Sequence, residues 1–158
     1  MIRTLFILAA LVTASVAAAP AFAHDYVIGD LTIDHPWARP TVTARQPGAA
    51  YFSIRNDGDA DARLIGARPI DFAQVAELHT HINDDGVMRM RALADGVIIP
   101  AGETVSLAPG GLHVMLFGLD APLAEGSPVA LTLVFEELGE IDVILAVHHN
   151  SDGGHAHH

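Results

Sequence analysis

The chain has 158 residues, a formal net charge of −11, no cysteine and eight Lys or Arg residues, all of them arginine. This acidic balance argues against nucleic acid and anionic membrane surfaces as partners, since both require basic patches. The lack of cysteine excludes disulfides and thiolate metal sites, and the length suits one domain with its own core. In chain order, the first element is a secretory signal. Arg3 begins it, Thr4 to Ala19 form its apolar stretch, and Ala21-Phe22-Ala23 forms a small-x-small cleavage site. Residues 1–23 are therefore read as a cleaved signal peptide that directs the chain to secretion. Cleavage would leave His24 as the new N-terminus. No second hydrophobic stretch is long enough for stable membrane insertion.

Residues 24–147 read as one all-β domain. Short apolar runs predict strands near Tyr26–Ile33, Ala49–Arg55, Ala62–Ala67, Val75–Ile82 and Val87–Leu93, then Thr104–Leu107, Leu112–Phe117, Val129–Phe135 and Ile141–Val147. Turn residues punctuate them, including Asn83-Asp84-Asp85-Gly86 and Pro109-Gly110-Gly111. The pattern suggests a β-sandwich or barrel. From His148 to His158 the sequence is polar, contains glycine and carries five histidines, and it reads as a tail outside the core.

Chemistry concentrates in three short segments. His79-Thr80-His81, Met88-Arg89-Met90 and His113-Val114-Met115 each place two metal donors two residues apart. On a strand such residues share a face. Thioether sulfur suits Cu(I) and serves Zn²⁺, Mg²⁺ or Ca²⁺ poorly, so the methionines narrow the choice of metal. A hairpin that pairs Ile82 with Val87 would set His81 opposite Met88 and His79 opposite Met90. His113 and Met115 would supply the second half of a His₂Met₂ set, while Leu112, Val114 and Leu116 feed the core. A lone Met or His in a strand is ordinarily filler or an edge residue. Three such pairs together point to metal.

The same residues carry a resemblance. Gly29-Asp30-Leu31 to His35-Pro36-Trp37-Ala38-Arg39, Gly48-Ala49-Ala50-Tyr51-Phe52, Glu77-Leu78-His79, Met90 and Pro109 to Leu116 resemble the periplasmic PCu(A)C-type copper chaperones. The family motif is His, ten residues, Met, about 21 residues, then His-x-Met. Here ten residues separate His79 from Met90 and 22 separate Met90 from His113. The Asp95 to Glu103 loop would absorb the extra residue. The resemblance implies a cupredoxin-like Greek-key β-sandwich that binds one Cu(I) through His79, Met90, His113 and Met115. It implies delivery toward the dinuclear copper site of cytochrome c oxidase, directly to an oxidase subunit or through a Sco-type protein. The family often has Met where this chain has His81, which leaves the part played by His81 open.

Other readings compete with a non-enzymatic chaperone. A periplasmic copper or zinc buffer would rely on the tail, whose imidazoles His148, His149, His155, His157 and His158 suit Cu(II). A sandwich interaction module would carry its Met and His incidentally. A copper oxygenase could use a free N-terminal His24, but no companion histidine is evident. Trp37 is read as anchoring the first strand to the core, and Arg39, Arg45 and Arg55 as solvated or paired with carboxylates. The Asp57 to Asp61 run lacks the spacing of a Ca²⁺ loop and reads as a turn.

Overall fold

The structure, a computed structural model, describes residues 25–149. The signal segment, His24 and the tail beyond His149 lie outside the described residues. Eleven strands follow in order: β1 (Tyr26–Ile28), β2 (Leu31–Ala38), β3 (Gly48–Asn56), β4 (Ala62–Ile70), β5 (Val75–Asp84), β6 (Val87–Ala92), β7 (Val97–Ile99), β8 (Thr104–Leu107), β9 (His113–Phe117), β10 (Pro128–Phe135) and β11 (Gly139–Val147). The all-β expectation holds, and among the described residues no helix is long and apolar enough to cross a membrane.

Pairing runs β2-β11-β10-β4-β5-β9-β3, and a β2–β3 pairing closes the ring. Sequence neighbours are often not spatial neighbours: β9 lies between β5 and β3, and β11 pairs in parallel with β2. This is Greek-key connectivity. Strand alternation builds the core. Leu31 and Ile33 of β2, Ala50, Phe52 and Ile54 of β3, Val114 and Leu116 of β9, Leu131 and Leu133 of β10, and Val143 and Leu145 of β11 are almost completely buried. Each such Leu, Ile or Phe contributes roughly 2 kcal/mol from area removed from water.

Three sequence expectations change. The run Tyr26–Ile33 is two strands, because the chain turns back at Gly29-Asp30 and pairs Ile28 with Leu31. Strand β7 was not anticipated; three residues of alternating burial are too short for a period to show. The β5–β6 hairpin pairs Asp84, not Ile82, with Val87. Its loop is only Asp85-Gly86, with φ of 50° and 85°. Two successive positive φ values make a type I′ turn, whose twist matches the flanking strands. The Asn83 Oδ1 accepts the Gly86 N–H at 2.7 Å and steadies the turn. The two-residue shift keeps every side chain on its expected face but changes all cross-strand partners.

Candidate metal site

The shifted register decides which donors meet. His81 lies directly opposite Met90, and Asn83 opposite Met88. On its other edge β5 pairs with β9, with His79 opposite His113 and Glu77 opposite Met115. Ala49 of β3 lies opposite Met115. The outer faces of β6, β5, β9 and β3 thus carry Met90, His81, His79, His113, Met115 and Tyr51 as one continuous surface.

Part of this surface is buried. The segment from Arg39 to Pro47 borders it, supplying Arg39, Pro40, Thr41, Gln46 and Pro47 to a cavity wall, and is tied down near its start. The Arg39 N–H donates to the Ala49 carbonyl at 3.0 Å, and the Thr41 N–H donates to the Leu123 carbonyl at 3.1 Å. The Thr41 Oγ1 also accepts the Leu123 N–H at 2.9 Å. That wall encloses a cavity of about 230 Å³ whose lining also includes His81, Met90, His113 and Met115 together with Tyr51. His113 is 3% exposed and Met115 9%, although both point away from the main core. Met90, by contrast, is 55% exposed.

The imidazoles are oriented by specific partners. Pro109 and Gly110, the latter with φ of 85°, form a turn closed by the Gly111 N–H on the Ala108 carbonyl at 3.0 Å. Glycine supplies the positive φ that a type II turn requires at that position. The turn presents the Gly111 carbonyl, which accepts from His113 Nδ1 at 2.8 Å. With its proton on Nδ1, His113 offers Nε2 as a lone pair; such outer bonds set the tautomer of metal-binding histidines. Burial, reinforced by His81 and His79 nearby, lowers the His113 pKa from 6.5, while the Gly111 bond opposes the shift. Neutral imidazole, the metal-binding form, is thereby favoured.

His79 shows the reverse arrangement. Its Nε2–H donates to Glu77 Oε2 at 3.0 Å, and its Nδ1 is buried without a partner. An orphaned buried nitrogen is costly and marks a position suited to a ligand. Its ring centroid stands 6.0 Å from that of His113, and His81 stands 5.1 Å from His113. Among the described residues no three His, Asp or Glu side chains form a metal-holding group. The thioethers of Met90 and Met115 line the cavity with His81 and His113, and thioether sulfur suits a soft ion.

The four residues implied by the family spacing share one face and one neighbourhood. The cavity itself takes His81 where the spacing takes His79. Met88 remains at the ribbon tip, 58% exposed. Sequence reasoning missed the bordering segment and the role of Arg39. Its guanidinium sits 5.9 Å from the centre of the Tyr51 ring, within cation–π range. Trp37 is only partly buried, so it is not a core anchor; its ring lies tilted against Tyr51, centroids 4.5 Å apart, and stacks on His148 at 4.9 Å. A larger cavity of about 280 Å³ lies elsewhere, lined by Asp30, Asp59, Asp61, Glu136 and Glu137, and has neither Met nor His in its wall.

Comparisons with known proteins agree with this layout. A protein of Leifsonia xyli subsp. xyli named as a lipoprotein, Lxx21020, is 39% identical over 89 residues, which is 56% of this chain and 53% of that protein. The chain spans little more than half the length of the curated relatives it matches. Among solved structures, the copper-bound PCuAC domain from PmoF2 is similar with a TM-score of 0.65 and 29% identity, over 79% of this chain and 97% of that domain. The Cu(I) form of DR1885 from Deinococcus radiodurans is similar with a TM-score of 0.59 and 29% identity, over 85% and 87%. The LpqE-like family model matches residues 31–147, and the chain is therefore a member of the LpqE-like family, built on the cupredoxin-like β fold of PCuAC domains.

Proposed function

We propose that this chain is an exported copper-binding chaperone that carries Cu(I) as cargo on the outer face of β5, β6 and β9. The observation that carries the reading is the meeting of Met90, His113 and Met115 in one cavity, with His113 held ready by the Gly111 carbonyl. His79 would ligate through its unpartnered Nδ1, held in that tautomer by Glu77, and His113 through Nε2. Met90 and Met115 would add thioether sulfur, which favours the reduced ion. The copper-bound PmoF2 domain and the Cu(I) form of DR1885 support copper as the cargo.

Export to the periplasm is supported by the signal pattern and by a relative named as a lipoprotein. Delivery to the dinuclear copper site of an oxidase, directly or through a Sco-type protein, is the proposed destination. The site holds and releases an ion and is assigned no catalytic step. The His-rich tail is proposed as a second, weaker Cu(II) site.

X-ray absorption of the protein loaded with one equivalent of Cu(I) tests the site. Sulfur neighbours are expected at copper, and they should be lost in the Met90→Leu/Met115→Leu variant. A spectrum with only nitrogen and oxygen neighbours refutes it. Anaerobic transfer to a purified oxidase copper domain or Sco-type protein, followed by mass spectrometry of both proteins, tests the destination. Copper retained by the chain in the presence of every such acceptor would refute the delivery role.

A further inference from the structure

The family spacing selects one histidine of β5, yet β5 carries two on the same face. His79 stands opposite His113, and two residues on, His81 stands opposite Met90. We propose that His81 is a second imidazole for the same copper ion, placed at the mouth of the cavity, and that the ion passes between His79 and His81 while His113 and Met115 retain it. The proposal rests on the metal-site reading above and extends it from a binding set to a path for release.

Three observations support it. First, His81 lines the cavity with Met90, His113 and Met115. Second, one carbonyl orients two rings: Gly111 accepts from His113 Nδ1 at 2.8 Å and, more weakly, from His81 Nδ1 at 3.4 Å. Both rings are thereby biased to the same tautomer, with Nε2 left as the ligand atom. Third, His79 and His81 flank His113 at similar ring separations, 6.0 and 5.1 Å, but the three do not assemble into one metal-holding group. An ion bound to His113 can take one β5 imidazole or the other.

The exchange is a ligand substitution. A copper–nitrogen bond to His79 breaks as one to His81 forms, with no change of oxidation state and no proton transferred between neutral rings. Throughout, the ion keeps its bonds to His113 and Met115. At the His81 position it faces Met90, 55% exposed, where a donor from an acceptor protein can reach it. At the His79 position it is held by a ring whose side chain is only 14% exposed.

The test is a double-mutant cycle on the full chain with one equivalent of Cu(I). It reads affinity by competition with a chromogenic chelator and release rate by stopped flow. His79→Ala and His81→Ala are each expected to lower affinity by less than about tenfold, and the double variant by more than about a hundredfold, beyond the product of the two. His81→Ala should also slow release to the chelator several-fold. The proposal is overturned if His81→Ala matches the wild type in both readouts, or if the double variant is no worse than His79→Ala alone. His113→Ala/Met115→Leu separates the two levels. Wild-type affinity in that variant would refute the site itself, whereas loss of affinity there with a silent His81 would refute only the exchange.

Discussion

Strand β9 and the β5–β6 ribbon carry the proposed donors on one continuous face but hold them very differently. On β9, His113 and Met115 are buried; the strand has β3 on one side and β5 on the other, and residues of the Arg39 to Pro47 segment share a cavity wall with its donors' side chains. On the ribbon, β6 pairs only with β5 and is exposed along its whole length. Met90 there is 55% exposed where Met115 is 9%. An ion carrier must hold its cargo and also surrender it. Under the proposed assignment, a buried pair on β9 and a second pair on the ribbon, of which Met90 is exposed, would meet those demands within one site. The cost of ordering the donors falls on the ribbon, since the β9 pair is already in place before metal arrives.

The largest effect should come from the rigid half. Met115→Leu removes the thioether while conserving volume, so it should lower Cu(I) affinity by about a hundredfold with less than ~1.5 kcal/mol lost in folding stability. Met115→Ala should cost in addition ~2 kcal/mol or more, because the site is buried. At this residue truncation removes packing as well as a proposed ligand, since Met115 is 9% exposed. Equal affinity in Met115→Leu and wild type, measured by chelator competition, would break the comparison.

A smaller effect is expected on the ribbon. Met90→Leu should lower affinity by about tenfold, speed release, and leave urea unfolding within ~0.5 kcal/mol of wild type. If Met90→Leu proves the more damaging of the two substitutions, the assignment of holding and releasing halves is inverted.

Weaker still is the contribution of the Glu77 hydrogen bond. Glu77→Gln keeps the size but can present an N–H in place of the accepting oxygen, which releases the tautomer of His79. Copper affinity should fall by no more than about tenfold, the lower end for outer hydrogen-bond partners. His81→Ala, which leaves Glu77 in place, is the matched comparison.

The smallest effects concern protons and the ribbon tip. His113 has its folded pKa below the unfolded value of 6.5, chiefly through desolvation. Between those two values the unfolded chain binds more protons than the folded one, so stability falls as pH drops. Above about 6.5 both states hold neutral imidazole and this contribution is flat. Metal-free wild type should therefore lose melting temperature more steeply from pH 6.5 downward than His113→Gln does; parallel slopes would refute it. Met88→Ala should change neither Cu(I) affinity nor stability beyond ~0.5 kcal/mol, as befits a tip residue outside the cavity.

Much of this arrangement was written locally. The period of two alone placed His79, His81, Met88, Met90, His113 and Met115 on outward faces and sent Val114 and Leu116 inward. The choice of a soft metal followed from thioether chemistry without any coordinates. The hairpin was legible in Asn83-Asp84-Asp85-Gly86, but its register was not, since that stretch can turn about four residues or two. Backbone twist favoured the two-residue Asp85-Gly86 turn, and so His81, not His79, came to face Met90. Composition likewise offered no sign that Arg39 would lie over Tyr51 or that Trp37 would stack on His148. Those contacts join residues far apart in the chain.

By itself, then, the sequence determined the all-β class, the face on which each donor lies and the softness of the ion they suit. These depend on backbone geometry two residues at a time and on the chemistry of single side chains. Only the tertiary structure decided that part of an outward face would be buried, because the cavity wall there includes a segment some seventy residues before β9, tied down by Thr41 to Leu123. The same long-range packing separated the held donors from the open ones. Alternation along a strand reports direction, whereas exposure depends on what the rest of the chain lays over it.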